Sequence, residues 1–319
     1  MIKPLRNSLL IFLIVCVSSC GPSSDKGSPF SYKESQQGVE LYENGKTVFF
    51  YQKEPKTLGG EYICNNYIHP LFAPNGDIIT EESPADHPYH RGIFWSWHQH
   101  YINDQSIGDG WIMEDISQEV VKTQVSIDKN TASLDLTVLW KSPNYEHGKA
   151  YIEENTSIVL HQLKSGIRMI DFKISLQALV PGVSLGGSDD EKGYGGLCTR
   201  IKPPDDLVFT STDGPVTPDS LQVIAGPWMD FSGTFGTGEE QNGLAILCHP
   251  GTPNYPAPWI LRQKTSMQNI VFPGRDRIAI AMDHPTKLNY RLVIHTGNAD
   301  TVDLSMLQSE YGKTISGQD

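Results

Sequence analysis

The histidines of this chain are concentrated in residues 84–111, and histidine is the side chain whose proton affinity best suits acid–base chemistry near neutral pH. Four of the ten histidines lie within these 28 residues, together with three acidic residues, three tryptophans and Arg91. The four are His87, His90, His98 and His100. A single His-x-x-His pair is usually two unrelated surface residues. This density of groups that titrate, bind metal or stack nevertheless predicts a functional pocket.

The local sequence divides this stretch into a loop and a strand. Pro88 keeps His87 out of helical geometry, and Gly92 leads into residues 93–101, whose branched and aromatic side chains predict a strand. Side chains alternate between the two faces of a strand. One face would carry Phe94, Ser96, His98 and His100, and the other Ile93, Trp95 and Trp97. We predict that the first face lines a site and that the second is a wall of the core.

Residues 188–200 form a second candidate, with three consecutive acids, a lysine, three glycines and an arginine. Such an acidic run is often a solvated loop. If it faces a pocket, Glu191 is the carboxylate best placed to act as a general acid or base. Lys192 and Arg200 would then bind substrate.

A third candidate is residues 249–262, where four prolines stiffen a loop that begins with His249. Trp259 and Arg262 lie at its end, where an aromatic ring and a guanidinium could contact a ligand. The alternative is a rigid structural crossing in which His249 is only hydrogen-bonded.

The N-terminus predicts a lipoprotein. Lys3 and Arg6 precede an apolar run that is too short to span a bilayer, and Val-Ser-Ser-Cys at residues 17–20 resembles a bacterial lipobox. We predict a signal peptide over residues 1–19, lipidation of Cys20, a tether over residues 20–35, and one β-sandwich domain over residues 36–319. The protein would then lie in the cell envelope, with the lipid as its only membrane contact. The alternative is an ordinary signal peptide with Cys20 unmodified.

The chain is acidic, with a formal net charge of −12 that becomes −14 once Lys3 and Arg6 are removed with the signal. This charge argues against nucleic acid as a partner and leaves carbohydrates or other uncharged small molecules open. No Cys-x-x-Cys pair occurs, so a cysteine-based structural zinc site is not expected.

The remaining sequence predicts an all-β fold. Short runs rich in branched residues alternate with turns marked by 29 glycines and 21 prolines, including Asn44-Gly45, a strong hairpin signal. Helical spacing is clear only near the C-terminus, at Leu304, Leu307 and Tyr311, where Asp300 is the expected cap. We predict a large antiparallel sandwich of two sheets with a short C-terminal helix.

Four segments carry a resemblance to a known family: HPLFAPNGDIITEESPADHPYHRGIFWSW, EKGYGGLCTR, GPWMDFSG and HPGTPNYPAPWILR. In this order they resemble the bacterial envelope and secreted family labelled "methane oxygenase PmoA", over roughly residues 69–275. Asp-His-Pro-x-His-Arg-Gly is the most specific part. The family is expected to have His-His where Tyr89-His90 stands, and Lys-Glu where Glu191-Lys192 stands. The resemblance implies a companion of sugar-processing systems with a supersandwich similar to galactose mutarotase-like proteins.

Our leading hypothesis is a lipid-anchored carbohydrate-active protein that needs no cofactor and acts as a glycoside hydrolase, lyase or sugar epimerase. His249 and Glu191 would be the acid–base pair, and His87, His90 and Arg91 would bind hydroxyls or stabilise negative charge. The residues expected to bind substrate are Trp95, His98, Trp111, Lys192, Arg200, Trp259 and Arg262.

Two alternatives come from other classes of protein. His98 and His100, joined by His87 or His90, would give a copper or zinc site of an oxygenase-like metalloenzyme. The second alternative is a glycan-binding lipoprotein that has the pocket but no catalysis.

Overall fold

The computed structural model describes residues 27–314. The predicted signal peptide, Cys20 and the first part of the tether lie outside these residues. In chain order the first strands are β1 (Phe30–Glu34), β2 (Gly38–Glu43), β3 (Lys46–Gln52), β4 (Lys56–Leu58), β5 (Tyr62–Cys64), β6 (Tyr67–Leu71), β7 (Ile93–Trp97), β8 (Gln99–Ile102), β9 (Gln105–Gly108), β10 (Ser117–Ile127), β11 (Thr131–Lys141) and β12 (Ala150–His161).

The second half of the described chain continues the same pattern and ends in two short helices. Its elements are β13 (Ile167–Ala178), β14 (Val183–Gly186), β15 (Gly195–Thr199), β16 (Val208–Ser211), β17 (Gly214–Pro215), β18 (Trp228–Gly233), β19 (Asn242–Cys248), β20 (Trp259–Ile260), β21 (Gln268–Ile270), β22 (Ile278–Ala279), β23 (Thr286–Thr296), a 3-10 turn (Ala299–Thr301) and α1 (Leu304–Tyr311).

Two large sheets dominate the described residues. The eight-stranded sheet has the order β1-β2-β3-β6-β7-β15-β21-β20, and the nine-stranded sheet has the order β10-β11-β12-β13-β23-β19-β18-β16-β17. A four-stranded sheet, β22-β14-β8-β9, lies beside them, and β4 and β5 form a separate hairpin. Every strand pair within these sheets is antiparallel.

Strict alternation in the sequence explains how the large sheets bury one face. In β11 every second residue is buried: Ala132, Leu134, Leu136, Val138 and Trp140. The side chains between them are polar except Leu139, and they point to the opposite face. A period of two matches the pleat of a strand that has one buried side.

The core lies between the two large sheets. Trp95 of β7 meets Phe172 of β13 with ring centroids 6.1 Å apart, and Trp97 meets Trp140 of β11 at 5.8 Å. Both tryptophans of β7 are almost completely buried. The prediction of an all-β antiparallel sandwich is therefore confirmed.

A buried polar network also joins the sheets. The carboxylate of Glu154, in β12, accepts hydrogen bonds from Nε1 of Trp140 at 2.9 Å and from Nδ2 of Asn66 at 3.1 Å. Asn66 accepts in turn from the hydroxyl of Tyr51 at 2.9 Å. Burial is the largest influence on Glu154 and raises its pKa, although the donors around it act in the opposite direction. The network gives each of these buried polar groups a partner.

The predicted C-terminal helix is confirmed, but its predicted cap is wrong. Asp303, not Asp300, caps α1 by accepting a hydrogen bond from the amide of Met306 at 2.8 Å. Leu304 and Tyr311 pack on the outer face of the nine-stranded sheet against Trp228, Leu247 and Val293. The helix starts late because a 3-10 turn capped by Asn298 occupies residues 299–301.

Three cysteines fall within the described residues, and all three are buried free thiols: Cys64, Cys198 and Cys248. No helix in residues 27–314 has the length and apolar character needed to cross a membrane.

Candidate active site

Three loops meet at one end of the eight-stranded sheet and enclose a cleft of about 250 Å³. They are the loop before β7, the connection between β14 and β15, and the turn before β21. His98, just before β8, and Trp111, after β9, complete the lining. We call this the histidine cleft. It is lined by His87, Tyr89, His90, His98, Trp111, Ser188, Asp190, Lys192, Tyr194 and Ser266.

The first of two Asp–His pairs in this cleft is Asp86–His87. Nδ1 of His87 lies 2.7 Å from Oδ2 of Asp86. The nearly buried guanidinium of Arg200 donates to both carboxylate oxygens of Asp86, at 2.8 and 3.0 Å, and the amide of Ser266 donates at 2.8 Å. Partial burial would raise the pKa of Asp86, but these donors outweigh it and hold the pKa well below its usual range. Asp86 is therefore a fixed carboxylate.

The second pair is Asp109–His98. Nδ1 of His98 lies 2.8 Å from Oδ2 of Asp109, whose other oxygen accepts from the amides of Trp111 at 2.8 Å and Ile112 at 3.3 Å. The ring of His98 stacks on Trp111, with centroids 4.9 Å apart and planes 15° apart. One carboxylate and one aromatic ring therefore fix both the orientation and the tautomer of this imidazole.

Both pairs leave the same nitrogen available. A carboxylate only accepts hydrogen bonds, so the proton of each neutral imidazole is on Nδ1 and the lone pair is on Nε2. Among the described residues, neither Nε2 has a hydrogen-bond partner, and both rings line the cleft. The cleft therefore presents two oriented imidazoles, each able to take up or release a proton at Nε2.

His90 lies behind His87 and has a different state. The two rings are parallel, with centroids 4.5 Å apart and planes 2° apart. Burial, followed by the nearby cationic groups, lowers the pKa of His90 to about 2. His90 is 2% exposed, and its Nδ1 has no partner within the described residues. Because its pKa is so low, His90 is neutral at ordinary pH and is not suited to donate a proton. Its role is to support the ring of His87, on which it stacks.

Arg91 supports the loop from below and does not line the cleft. It is 1% exposed, donates to the carbonyl oxygens of Tyr89 at 3.1 Å and Trp111 at 3.2 Å, and lies over the ring of Phe94 at 4.5 Å. The prediction that Arg91 contacts a ligand is therefore replaced by a structural role, in which it ties the His87 loop to the Trp111 loop.

The prediction that His98 and His100 share a strand face is wrong. The chain bends at His98, between β7 and β8, and the alternation of the two faces is interrupted there. His100 is completely buried, with Nδ1 2.8 Å from the hydroxyl of Tyr151 and Nε2 3.1 Å from the carbonyl of Trp97. Burial lowers the pKa of His100 to about 4.

This arrangement bears on the predicted copper or zinc site. Both ring nitrogens of His100 are hydrogen-bonded inside the core, so His100 has no nitrogen left to bind a metal ion. Within residues 27–314 no group of three or more His, Cys, Asp or Glu side chains is arranged to hold a metal ion. The predicted site made of His98, His100 and a loop histidine therefore lacks the ligand that it required from His100.

Three further residues proposed from the sequence lie away from the cleft. Trp95 and Trp259 are core residues with 1% and 0% exposure, so neither presents a ring to a ligand. His249 lies against α1, with its ring centroid 5.1 Å from that of Tyr311 and Nε2 2.9 Å from the carbonyl of Thr314. The proline-rich loop runs toward the C-terminal segment at its start and toward the cleft only at its end.

The acidic loop reaches the cleft through residues other than Glu191. Glu191 is exposed and is not one of the lining residues, whereas Asp190 and Lys192 are. Asp190 closes the turn by accepting hydrogen bonds from the hydroxyl of Ser188 at 2.6 Å and from the amide of Lys192 at 3.0 Å. The placement does not support the predicted acid–base role of Glu191.

Arg200 and Arg262 act through residues that they orient. Arg200 holds Asp86, as described above. Nη2 of Arg262 donates to the hydroxyl of Tyr194 at 2.7 Å, which fixes that ring beside Trp111. Trp111 itself is 3% exposed and covered by His98, so Tyr89 and Tyr194 are the partly exposed aromatic rings of the cleft.

Sequence reasoning missed the two aspartates that orient the histidines. Asp86 directly precedes His87, and this adjacency was an available signal. Asp109 is separated from His98 by a hairpin, so no spacing in the sequence points to the pair. Tyr89, Tyr194, Ser188 and Ser266 were missed because loop residues carry no periodicity.

The family comparison identifies the chain as a member of a family without an assigned activity. Residues 38–307 match the family described as "Family of unknown function (DUF6807)", and the chain belongs to it. No curated protein matches the chain. The comparisons give no evidence for the methane oxygenase label.

One solved structure that the comparison matched to the chain is described as a "putative mutarotase (YeaD) from Salmonella typhimurium". It is 9% identical, and the alignment covers 84% of this chain and 88% of that one, with a TM-score of 0.33. A score this low carries no argument about fold or activity, so the architecture stands on the strand pairings alone.

Proposed function

We propose that this protein is a carbohydrate-active protein whose histidine cleft opens and closes the hemiacetal ring of a sugar. The observation that carries the proposal is the pair of Asp–His dyads in one cleft, each with Nε2 available. Ring opening needs one group that removes a proton and one that donates a proton, and two oriented imidazoles satisfy this requirement.

The proposed step balances as follows. Nε2 of one neutral imidazole takes the proton from the anomeric hydroxyl, the C1–O5 bond breaks, and its electron pair remains on the ring oxygen. The second imidazole, in its protonated form, delivers a proton to that oxygen. Closure on the other face of the carbonyl reverses the two roles and gives the other anomer. Each aspartate stabilises the positive charge of its imidazole while that imidazole holds the extra proton.

The other lining groups suit a polyhydroxylated ligand. Tyr89 and Tyr194 offer aromatic faces, and Ser188, Ser266 and Lys192 offer hydrogen-bonding groups around the cleft. The volume of about 250 Å³ is on the scale of a small ligand, and the acidic chain disfavours anionic ones in this cleft.

Hydrolysis of a glycosidic bond by two carboxylates is less well supported. Asp86 is held by Arg200 and His87, and Asp109 by His98 and two backbone amides. A retaining or inverting glycosidase needs carboxyl groups that are free to act on the glycosidic oxygen or on water. We therefore assign the chemistry to the histidines and the orientation to the aspartates.

The test is anomer exchange measured by NMR on a panel of aldoses, with the full chain at catalytic concentration. The proposal expects faster exchange for at least one sugar, and loss of that acceleration in H87A and H98A. The matched control is H284A, because His284 is exposed and far along the chain, next to Asp283. Acceleration that survives in both cleft variants would refute the assignment.

The same preparation separates the alternatives. Saturable sugar binding without exchange for any aldose would select the non-catalytic glycan-binding protein. Stoichiometric copper or zinc that is lost in H87A and H98A would select the metalloenzyme.

We also propose that the protein is lipid-anchored in the cell envelope through Cys20, on the support of the lipobox-like sequence alone. Metabolic labelling with a radioactive fatty acid should mark the wild-type protein and not C20A. Equal labelling of both, or labelling of neither, would contradict the anchor.

A further inference from the structure

A second cleft, of about 270 Å³, lies on the outer face of the nine-stranded sheet, the face turned away from the core. We call it the lysine cleft. It is lined by Lys122, Asp135, Leu136, Thr137, Asn155, Thr156, Ser157, Lys173, Ile174, Ser175, Lys287 and Asn289. None of these residues belongs to the histidine cleft.

The strand register arranges the polar side chains of the lysine cleft in two parallel rows. One row crosses five strands from Lys122 through Thr137, Asn155 and Ser175 to Lys287. The other crosses four strands from Asp135 through Ser157 and Lys173 to Asn289. Neighbouring strands are about 4.8 Å apart, so each row presents polar groups at regular steps across the sheet: hydroxyls, amides and amines, with the carboxylate of Asp135 at the end of the second row.

The side chains that line the lysine cleft are on balance cationic, opposite in sign to the chain, although the carboxylate of Glu153 accepts a hydrogen bond from the lining residue Asn155 at 2.9 Å. Three lysines and one aspartate line the cleft, in a protein with a formal net charge of −12. Within the described residues, no ion pair or hydrogen bond involves the side-chain amine of Lys122 or Lys173. Three lysines around one cleft create a local field that attracts anionic ligands.

Asn289 gives independent support for a ligand. It is 7% exposed, and its Nδ2 donor has no hydrogen-bond partner within the described part of the chain. The backbone of Asn289 is fully engaged, since its N–H donates to Thr252 at 2.9 Å and its carbonyl accepts from Thr252 and His249. A buried donor without an acceptor is unfavourable, and an oxygen atom of a ligand would satisfy it.

We propose that the lysine cleft binds an oligosaccharide that carries carboxylate groups. The lysines would pair with the carboxylates, and the rows of serine, threonine and asparagine would hydrogen-bond to ring hydroxyls as donors and acceptors. An acidic peptide could use the lysines, but it offers no hydroxyls along its length to match the rows. The proposal does not depend on the chemistry of the histidine cleft.

The test is affinity electrophoresis and calorimetry of the full chain with oligogalacturonate, with a neutral cello-oligosaccharide of the same length as reference. We expect preferential binding of oligogalacturonate that weakens as salt increases. The double variant K122Q/K173Q should bind at least about tenfold more weakly, because two charge-assisted contacts are lost. The matched control is K46Q, which removes an exposed lysine of β3.

N289A is the second variant, because it separates binding from folding. Removing an unpartnered buried donor should leave thermal stability unchanged or slightly raised, while affinity for oligogalacturonate falls. H87A/H98A should bind oligogalacturonate like the wild type, so failure of the two proposals can be told apart. Equal binding by K122Q/K173Q and wild type would overturn the lysine cleft as the site. Binding of polyglutamate as tight as that of oligogalacturonate would overturn the carbohydrate class.

Discussion

At the scale of single residues, the chemistry that we propose depends on how two imidazoles are oriented. His87 and His98 have the same arrangement, with Nδ1 on an aspartate and Nε2 in the cleft. Their aspartates are held differently, Asp86 by an arginine and Asp109 by backbone amides. Both arrangements prevent the imidazole from rotating and fix which nitrogen carries the proton.

The aspartates are therefore predicted to be needed for rate more than for binding. In D86N and D109N a neutral amide replaces the carboxylate, so the positive charge of the protonated imidazole is no longer stabilised. The amide NH2 can also donate to Nδ1 of the histidine, which moves the ring proton to Nε2. We expect the rate of anomer exchange to fall by about a hundredfold or more, with a much smaller change in KM, as measured by NMR. D128N, in an exposed turn, is the control. An equal loss of affinity and no loss of turnover would contradict the orienting role.

Two buried histidines predict loss of stability in acid. The pKa of His90 is lowered to about 2 and that of His100 to about 4, whereas an unfolded histidine titrates near about 6.5. Between these values the unfolded chain binds more protons, so acid favours unfolding. As pH falls from 6.5 toward 4, each histidine should remove up to about 1.4 kcal/mol per pH unit from the free energy of unfolding.

This prediction is measured by urea denaturation across that pH range in the wild type, in H90F and in the exposed control H284F. H90F removes one of the two titrating groups and should show a shallower acid dependence. H284F should follow the wild type. The pKa of Glu154 is raised in the folded protein, so this residue lowers the free energy of unfolding as pH increases above the pKa of an unfolded glutamate. Because this effect is common to all three proteins, the variants are compared with the wild type at each pH. An unchanged slope in H90F would contradict the argument.

At the scale of elements, the cleft depends on a close approach of two strands just before β7. Gly92 has φ +48°, and a Cβ at this position would lie 1.9 Å from the carbonyl oxygen of Ile68 in β6. Only glycine permits both the conformation and the contact. Because Gly92 follows His90 and Arg91 directly, this contact sets where the whole histidine loop leaves the sheet.

G92A is accordingly predicted to be far more damaging than an ordinary glycine substitution. It should reduce the free energy of unfolding by about 3 kcal/mol or more, because backbone must move to relieve the clash. G45A has a similar positive φ of +73°, but a Cβ there would point into open space, and the substitution should cost about 1 kcal/mol. Denaturant titration of both variants measures the difference. Equal losses would show that the contact with Ile68 does not constrain the loop.

At the scale of the whole molecule, two large sheets enclose a core that contains charged and polar groups. Glu154 receives hydrogen bonds from Asn66, near the eight-stranded sheet, and from Trp140 of the nine-stranded sheet. The network therefore fixes the position of one sheet relative to the other, in addition to the contact between apolar side chains. It is completely enclosed, with Glu154 at 0% exposure.

E154A should then destabilise the molecule strongly. The substitution leaves the donors of Trp140 and Asn66 buried without acceptors, and we expect a loss of about 3 kcal/mol or more in the free energy of unfolding. E153A, whose side chain points to the outer face of the same strand, is the matched control and should change stability by less than about 1 kcal/mol. Urea denaturation provides the measurement. Similar losses in both variants would show that the network contributes nothing specific.

The sequence by itself determined the fold class, the C-terminal helix and the grouping of several residues of 84–111 in one place. Alternation in β11 and the hairpin signal at Asn44-Gly45 are local patterns, and burial of one face of a strand leaves a period of two that is visible in the sequence. His87, His90 and His98 are close in the sequence and also line one cleft, since the loop before β7 and the bend before β8 lie side by side.

Only the tertiary structure decided which residues share the cleft. The bend at His98 directs that ring outward and His100 inward, and no period in the sequence records it. Asp109 reaches His98 through a hairpin and Ser266 reaches Asp86 from a distant turn, while His249 lies against the C-terminal segment instead. The physical reason is that hydrogen bonds between loops depend on where strands end and turn, whereas periodicity reports only which face of a strand is buried.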